Sequence, residues 1–186
     1  LCIAFAGTVI GTVFSIPLSF VNTRRFVPGS VAFFFNLLII AIRSIPFLIY
    51  GLIFIRVSGP GPFTGVLTLS MCSIGLLTKR FTEALDAIDL KAYHALLAMG
   101  AHPVPAICHG ILPQLKPIFI SIFLYRFDVN IREASVLGLV GAGGIGAPLI
   151  FSMNQYAWEK AGAILLGLIL LVWLIDMISV KINHIL

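Results

Sequence analysis

Residues 31–55 read VAFFFNLLIIAIRSIPFLIYGLIFI, an apolar stretch in which Arg43 is the one charged residue. A hydrocarbon core about 30 Å thick is crossed by about 20 helical residues, so this stretch reads as a membrane-crossing helix. Barrel strands are excluded because they would alternate apolar and polar over about ten residues. Pro46 cannot continue the helical ladder, which predicts a kink and a freed backbone carbonyl nearby.

Outward from this stretch, four more fit the same ruler: Leu1–Phe20, Phe63–Thr78, Pro117–Val140 and Ala161–Val180. The Phe63–Thr78 run is short and is expected to continue as helix at its polar end. The fold class that follows is an all-α polytopic membrane protein, a single domain over 1–186 with five spans. Composition agrees: the chain is 60% hydrophobic and 10% charged, with a mean hydropathy of +1.11, against about 25% charge in soluble domains. So much apolar surface cannot be hidden in a body this small, which excludes a water-soluble globule. The first residues lack a basic leader and a small-residue cleavage site, so they read as a span rather than a signal peptide. The chain opens on Leu1 rather than Met, which leads us to expect a segment of a longer protein.

The basic residues choose an orientation. With 79–116 cytoplasmic, that side holds Arg24, Arg25, Lys79, Arg80, Lys91, Lys116 and Lys181, against Arg56 and Lys160 outside, and seven against two satisfies the positive-inside rule. The same count places the C-terminus in the cytoplasm. No basic cluster exceeds Arg24–Arg25, so nucleic acid is not an expected partner. Cys2, Cys72 and Cys108 show no CxxC spacing and indicate neither disulfides nor a thiolate metal site. His94, His102, His109 and His184 lack metal-ligand spacing, so no metal is expected. Glu83, Asp86 and Asp89 recur every third residue and are expected to share a solvated helix face. Their rival reading is an intramembrane enzyme acting on lipid phosphates.

Charge inside a span costs about 2.5–3.5 kcal/mol and persists with a partner or a wet cavity. At 100° per residue, Arg126 and Glu133 lie about 20° apart with Asn130 between them, while Asp128 and Arg132 form an i,i+4 pair on the opposite side. One pair is expected to face a translocation path and the other to lock the helix to a neighbour. Arg43 is expected either to face the path or to satisfy the carbonyl freed by Pro46. Gly7 and Gly11 form a GxxxG that reads as a close helix contact. Gly141, Gly143 and Gly146, with Gly144 between, satisfy GxGxxG, but a dinucleotide site needs a preceding strand, so they read as a tight turn on the outer side.

Lys79–Ala101 reads as a helix that stops before Pro103 and Pro105, with an apolar face of Leu90, Leu97 and Ala101. Within 79–116 stand His94-Ala-Leu, three residues, Gly100, nine residues, then Gly110-Ile-Leu-Pro113. This spacing resembles the EAA loop of ABC-importer permeases: Glu-Ala-Ala, three residues, Gly, nine residues, Ile, one residue, Leu-Pro. Ala95, Gly100, Leu112 and Pro113 match, whereas His94 stands for Glu and Gly110 for Ile. Residues 59–67 (GPGPFTGVL), 73–79 (SIGLLTK), 83–89 (EALDAID), 111–114 (ILPQ) and 125–146 (YRFDVNIREASVLGLVGAGGIG) together resemble the phosphonate-importer permease family, the PhnE type. Residues 43–47 (RSIPF) and 140–144 (VGAGG) are equally at home in methionine-importer permeases, which remain the alternative.

The resemblance implies a MetI-like transmembrane domain in the plasma (inner) membrane, normally of six spans, the missing one preceding Leu1. It implies a transport subunit, not an enzyme, that carries phosphonate or a related phosphorus oxyanion. The expected partners are a second copy, two cytosolic ATPases and an extracytoplasmic substrate-binding protein. No cofactor is expected in this chain, ATP and Mg being bound by the ATPases. The implied ATPase-coupling residues are His94, Ala95, Leu96, Leu97, Gly100, Leu112 and Pro113.

Overall fold

The computed structural model describes residues 1–23, 25, 27–144 and 146–185, and all of their side chains except those of 178–180 and 182–185. Arg24 and the side chain of His184, both used in the sequence reading, lie outside the described residues. The described residues form helices and no strand: α1 (Cys2–Asn22), α2 (Gly29–Ser44), α3 (Phe47–Ser58), α4 (Pro62–Ala87), α5 (Lys91–Ala98), α6 (Pro103–Gly110), α7 (Leu112–Leu139), α8 (Gly146–Asn154) and α9 (Trp158–Ile185).

The stretch 31–55 falls in two helices, α2 and α3, that meet at 85°, with the break at the expected Pro46. Ile45 takes an extended conformation before Pro46, as a residue preceding proline tends to. The carbonyl that Pro46 leaves free, that of Ile42, accepts the Tyr50 hydroxyl at 3.0 Å. The elbow is therefore closed by a side chain of α3 itself.

Helix α4 extends the third stretch as expected, but it does not run on to Ala101. It ends at Ala87, where Ile88 turns extended. Arg25 donates to the Ile88 carbonyl at 3.1 Å and to that of Asp86, a cation placed on the orphan carbonyls of a helix C-terminus. Asp89 accepts the Lys91 N–H at 2.9 Å and so starts α5. Pro103 does not stop a helix but begins α6 from its first turn, where its missing N–H costs nothing. The chain reverses earlier, at Gly100, with φ +84°. Helix α7 starts at Leu112, before the expected Pro117, and is bent by 56° from α6. The expected outer loop 141–160 contains α8, and α9 begins at Trp158 rather than Ala161.

By length and composition, Cys2–Asn22 and Trp158–Met177 are each able to cross a membrane, and α2 with α3 and α6 with α7 qualify as bent pairs. Helix α4 does not qualify, for a reason visible in its packing. It touches α1, α2, α3 and α7 and buries Thr64, Thr68, Ser70, Ser73, Thr78 and Thr82. A helix surrounded by protein can be polar, whereas α9 exposes Leu165, Leu166, Ile169, Leu170, Trp173 and Leu174, as a lipid-facing helix must.

The tightest contact joins α1 to α4. A Cβ on Gly7 would stand 2.7 Å from the Cβ of Leu69, and one on Gly11 would stand 2.4 Å from that of Ser73. Ser15 spans the same contact, donating to its own helix at Gly11 (2.6 Å) with the Ile74 carbonyl of α4 at 3.2 Å. The GxxxG therefore does what small residues do in membranes, letting two backbones approach until side-chain hydroxyls reach across. Gly11→Val should lower stability by about 1–3 kcal/mol, the usual cost of overpacking. Gly29→Ala, with nothing within 4 Å of the added Cβ, should be close to neutral. Thermal unfolding of the two variants in detergent checks this, and equal midpoints would contradict the contact.

Candidate functional site

Three polar regions carry the chemistry. The first lies where α1, α4 and α7 meet. Arg126 is 3% exposed; its Nε donates to Ser73 Oγ at 3.0 Å and its Nη2 to Glu133 Oε2 at 2.9 Å. Asn130, one turn further along α7, donates through Nδ2 to Ser73 Oγ at 2.9 Å and to Thr8 Oγ1 at 2.7 Å. Thr8 in turn donates to the Ala4 carbonyl at 2.7 Å. The Arg126–Glu133 pairing and the position of Asn130 between them agree with the sequence reading. Ser73 and Thr8 were missed. For Thr8 a signal was present in the recurring hydroxyl residues of α1 (Thr8, Thr12, Ser15, Ser19), which helical spacing places on one side.

The second region is the opposite side of α7. Asp128 is buried and accepts from Arg132, whose side chain is 56% exposed. Arg132 lines a groove of about 410 Å³ with Leu168, Ile169, Val172, Trp173 and Asp176 of α9. The third is the elbow. Arg43 makes no hydrogen bond or ion pair among the described residues, and its stem lies against Gly75, where a Cβ would be 3.0 Å from Arg43 Cγ. It lines a cavity of about 160 Å³ with Glu133, Cys72, Pro46 and Phe47. Of the two expectations for Arg43, satisfying the freed carbonyl is overturned, because the Tyr50 hydroxyl donates to that carbonyl and the Arg43 side chain does not.

The segment expected to couple to a partner forms an α5–α6 hairpin. Helix α5 buries none of its residues; His94, Ala95 and Gly100 are exposed, and Leu96 and Leu97 are half-buried. Gly100 N–H donates to Leu97 at 2.9 Å and Ala101 N–H to Leu96 at 3.1 Å, a reversal that needs a left-handed residue and thus favours glycine. Gly110, in the position of the pattern's Ile, lies so near α5 that a Cβ would be 3.0 Å from the Tyr93 backbone. Leu112 and Pro113 open α7 and are exposed.

At the other end, Gly141, Gly143 and Gly144 all have positive φ, and a Cβ on Gly143 would be 3.0 Å from the Pro62 backbone. The turn thus seats the start of α4. Gly146 follows as the first residue of α8, which folds back onto α7.

Glu83 and Asp86 share a face of α4 and line one pocket, whereas Asp89 does not share it. Glu83 pairs with Lys79 and Arg80, each at 3.6 Å, and Asp86 accepts from Thr23 at 2.6 Å. Asp89 lies beyond the end of α4, where the Lys91 N–H holds its carboxyl below the usual carboxylate range. Three acids committed to three separate contacts supply no joint acid–base or metal chemistry, and no metal-holding group of three ligands occurs among the described residues.

Residues 7–186 match the family of binding-protein-dependent transport system inner membrane components. Over 180 residues the chain is 39% identical to the phosphite transport system permease protein PtxC of Stutzerimonas stutzeri, covering 96% of this chain and 66% of that protein. It is 32% identical over 187 residues to the phosphate-import permease protein PhnE of Mycolicibacterium smegmatis, covering all of this chain and 35% of that one. The chain thus spans less than two thirds of the length of these curated relatives. Among solved structures, the MetNI methionine ABC transporter in inward-facing conformations superposes with a TM-score of 0.85 at 21% identity, covering 99% of this chain and 91% of that one. An amino acid ABC transporter superposes at 0.80 with 17% identity, covering 99% and 89%. Both show the fold, which is MetI-like.

The Arg126–Glu133 pair generates a stability prediction. Arg126→Met strands a largely buried carboxylate and should cost about 3–5 kcal/mol. Adding Glu133→Gln should recover most of that loss. Denaturant unfolding in micelles measures both, and a single variant as stable as the parent would contradict the pairing.

Proposed function

The chain belongs to the family of binding-protein-dependent transport system inner membrane components, and from that premise we propose that it is the permease subunit of an ABC importer for phosphonate or a related phosphorus oxyanion. It is a multi-pass inner-membrane protein. The two curated relatives described above are named for phosphite and phosphate, which supports an oxyanion cargo. The methionine-type alternative rests on residues 43–47 and 140–144 and on a fold likeness at 21% identity, and that likeness is silent on substrate. The transport reading, unlike the lipid-phosphate enzyme, needs no cluster of acids in this chain.

The observation that carries the reading is α5. A short helix with no buried residue stands off the bundle next to a reversal at Gly100, in a segment flanked by basic residues on the proposed cytoplasmic side. In this arrangement His94, Ala95, Leu96, Leu97 and Gly100 present the docking face for a cytosolic ATPase, with Leu112 and Pro113 passing its movement into α7. The segment 79–116 is the EAA loop, and the C-terminus shares its side of the membrane. Two copies of the permease pair, two ATPases bind ATP and Mg and supply the energy, and an extracytoplasmic binding protein delivers the anion. Closure of the ATPases drives the two α5–α6 hairpins together. Because α6 leads directly into α7, the push turns the helix that carries Arg126, Asp128, Asn130, Arg132 and Glu133. The Gly141–Gly146 turn closes the outer end against α4.

Gly100→Val tests the coupling role. A β-branched residue at φ +84° is strained by about 1–3 kcal/mol, which should loosen the hairpin while the bundle stays folded. Substrate-stimulated ATP hydrolysis of the reconstituted importer should fall severalfold, and the ATPase should co-purify less well. Parental values for both would contradict α5 as the coupling helix.

A further inference from the structure

The span cations differ in what they already hold. Arg126 spends Nε on Ser73 and its terminal nitrogens on Glu133. Arg132 is paired with Asp128. The Arg43 side chain holds nothing among the described residues, and the local acceptor it would be expected to serve bonds Tyr50 instead. An unpaired guanidinium at membrane depth is unfavourable unless it faces water or a ligand. The cavity beside Arg43, about 160 Å³, far exceeds the ~10–15 Å³ that one water requires. Gly75 matters here because its lack of a side chain lets the Arg43 stem lie against α4, which aims the head group.

Glu133 lines the same cavity. A free carboxylate there would repel an anion and compete for Arg43. Held by Arg126 at 2.9 Å, it does neither.

Resting on the importer reading, we infer that Arg43 is the residue that contacts the oxyanion as it passes the α2–α3 elbow, and that the Arg126–Glu133 pair keeps its guanidinium available. The planar fork of arginine matches two oxygens of a phosphorus oxyanion at once, and a bend of 85° opens the space in which it can do so. Arg126 on this reading is a positioning residue that acts through Glu133.

The test uses the importer reconstituted in proteoliposomes with its ATPases and binding protein, and radiolabelled inorganic phosphite as the probe. Arg43→Met should assemble with the ATPases and lose at least about tenfold in uptake, as expected for a charged hydrogen bond; Arg43→Lys should retain part of it. The decisive arm is Arg43→Cys in a chain with Cys2, Cys72 and Cys108 replaced by Ala. After assembly, a thiol reagent bearing an ammonium group should restore uptake and a neutral reagent of similar size should not. Uptake by Arg43→Met at the parental rate, or equal rescue by the neutral reagent, would overturn the inference. Absence of phosphite uptake by the unmodified importer would instead overturn the oxyanion reading beneath it. If Arg43→Met fails to assemble, the cysteine arm, modified after assembly, still decides.

Discussion

The structure depends on the approach of α1 to α4 at Gly7 and Gly11. In lipid no hydrophobic force draws two helices together, so association rests on close packing and on hydrogen bonds. The missing side chains at these glycines let Ser73 and Thr8 stand side by side, and Asn130 of α7 donates to both. Ser73 also accepts from Arg126. A single serine hydroxyl on α4 therefore fixes α7 against the α1–α4 pair, and fixing α7 sets where Glu133 and Asp128 point. The elbow follows from the same contact, because Arg43 leans on α4 at Gly75, next to Ile74, whose carbonyl Ser15 of α1 reaches.

Two kinds of polar residue result. Arg126, Asn130, Ser73 and Thr8 are buried and bonded to one another, with the Asn130 Oδ1 left without a partner among the described residues, and the linked side chains suit a rigid seam. Arg43, at a bend, and Arg132, in a groove against α9, keep exposure. The seam and the bend lie on adjoining faces of α4, so α4 is polar where every neighbouring surface is protein. The α5–α6 hairpin is built differently: it hangs on Leu90, Tyr93 and Ile107 packed against Leu85, Ile111 and Leu115. That apolar joint shares no hydrogen bond with the seam of α1, α4 and α7 among those described.

Much of this was legible in the sequence. Continuous apolar runs gave the helical class, helical angles paired Arg126 with Glu133 and Asp128 with Arg132, and GxxxG located the close contact. Three things were not legible, each for a physical reason. Pro46 announced a kink in 31–55, but apolar periodicity does not register how far a chain turns, and the 85° at Ile45 and Pro46 was not readable. Helix termination at Ala87 depends on Arg25, which arrives from the α1–α2 connection and is distant in sequence. Ser73 is uninformative until α7 folds beside it, because its partners come from elsewhere in the chain. The Glu83–Asp86–Asp89 spacing was misleading in the opposite sense, since regular spacing implies a shared face only while the helix continues, and α4 ends before Asp89.

ATP-driven accumulation in proteoliposomes tests the central claim most directly, with the permease, its ATPases and its binding protein offered labelled phosphite and labelled methionine together. The predicted result is phosphite accumulation that requires ATP and is unaffected by excess methionine. Accumulation of methionine with none of phosphite would contradict it.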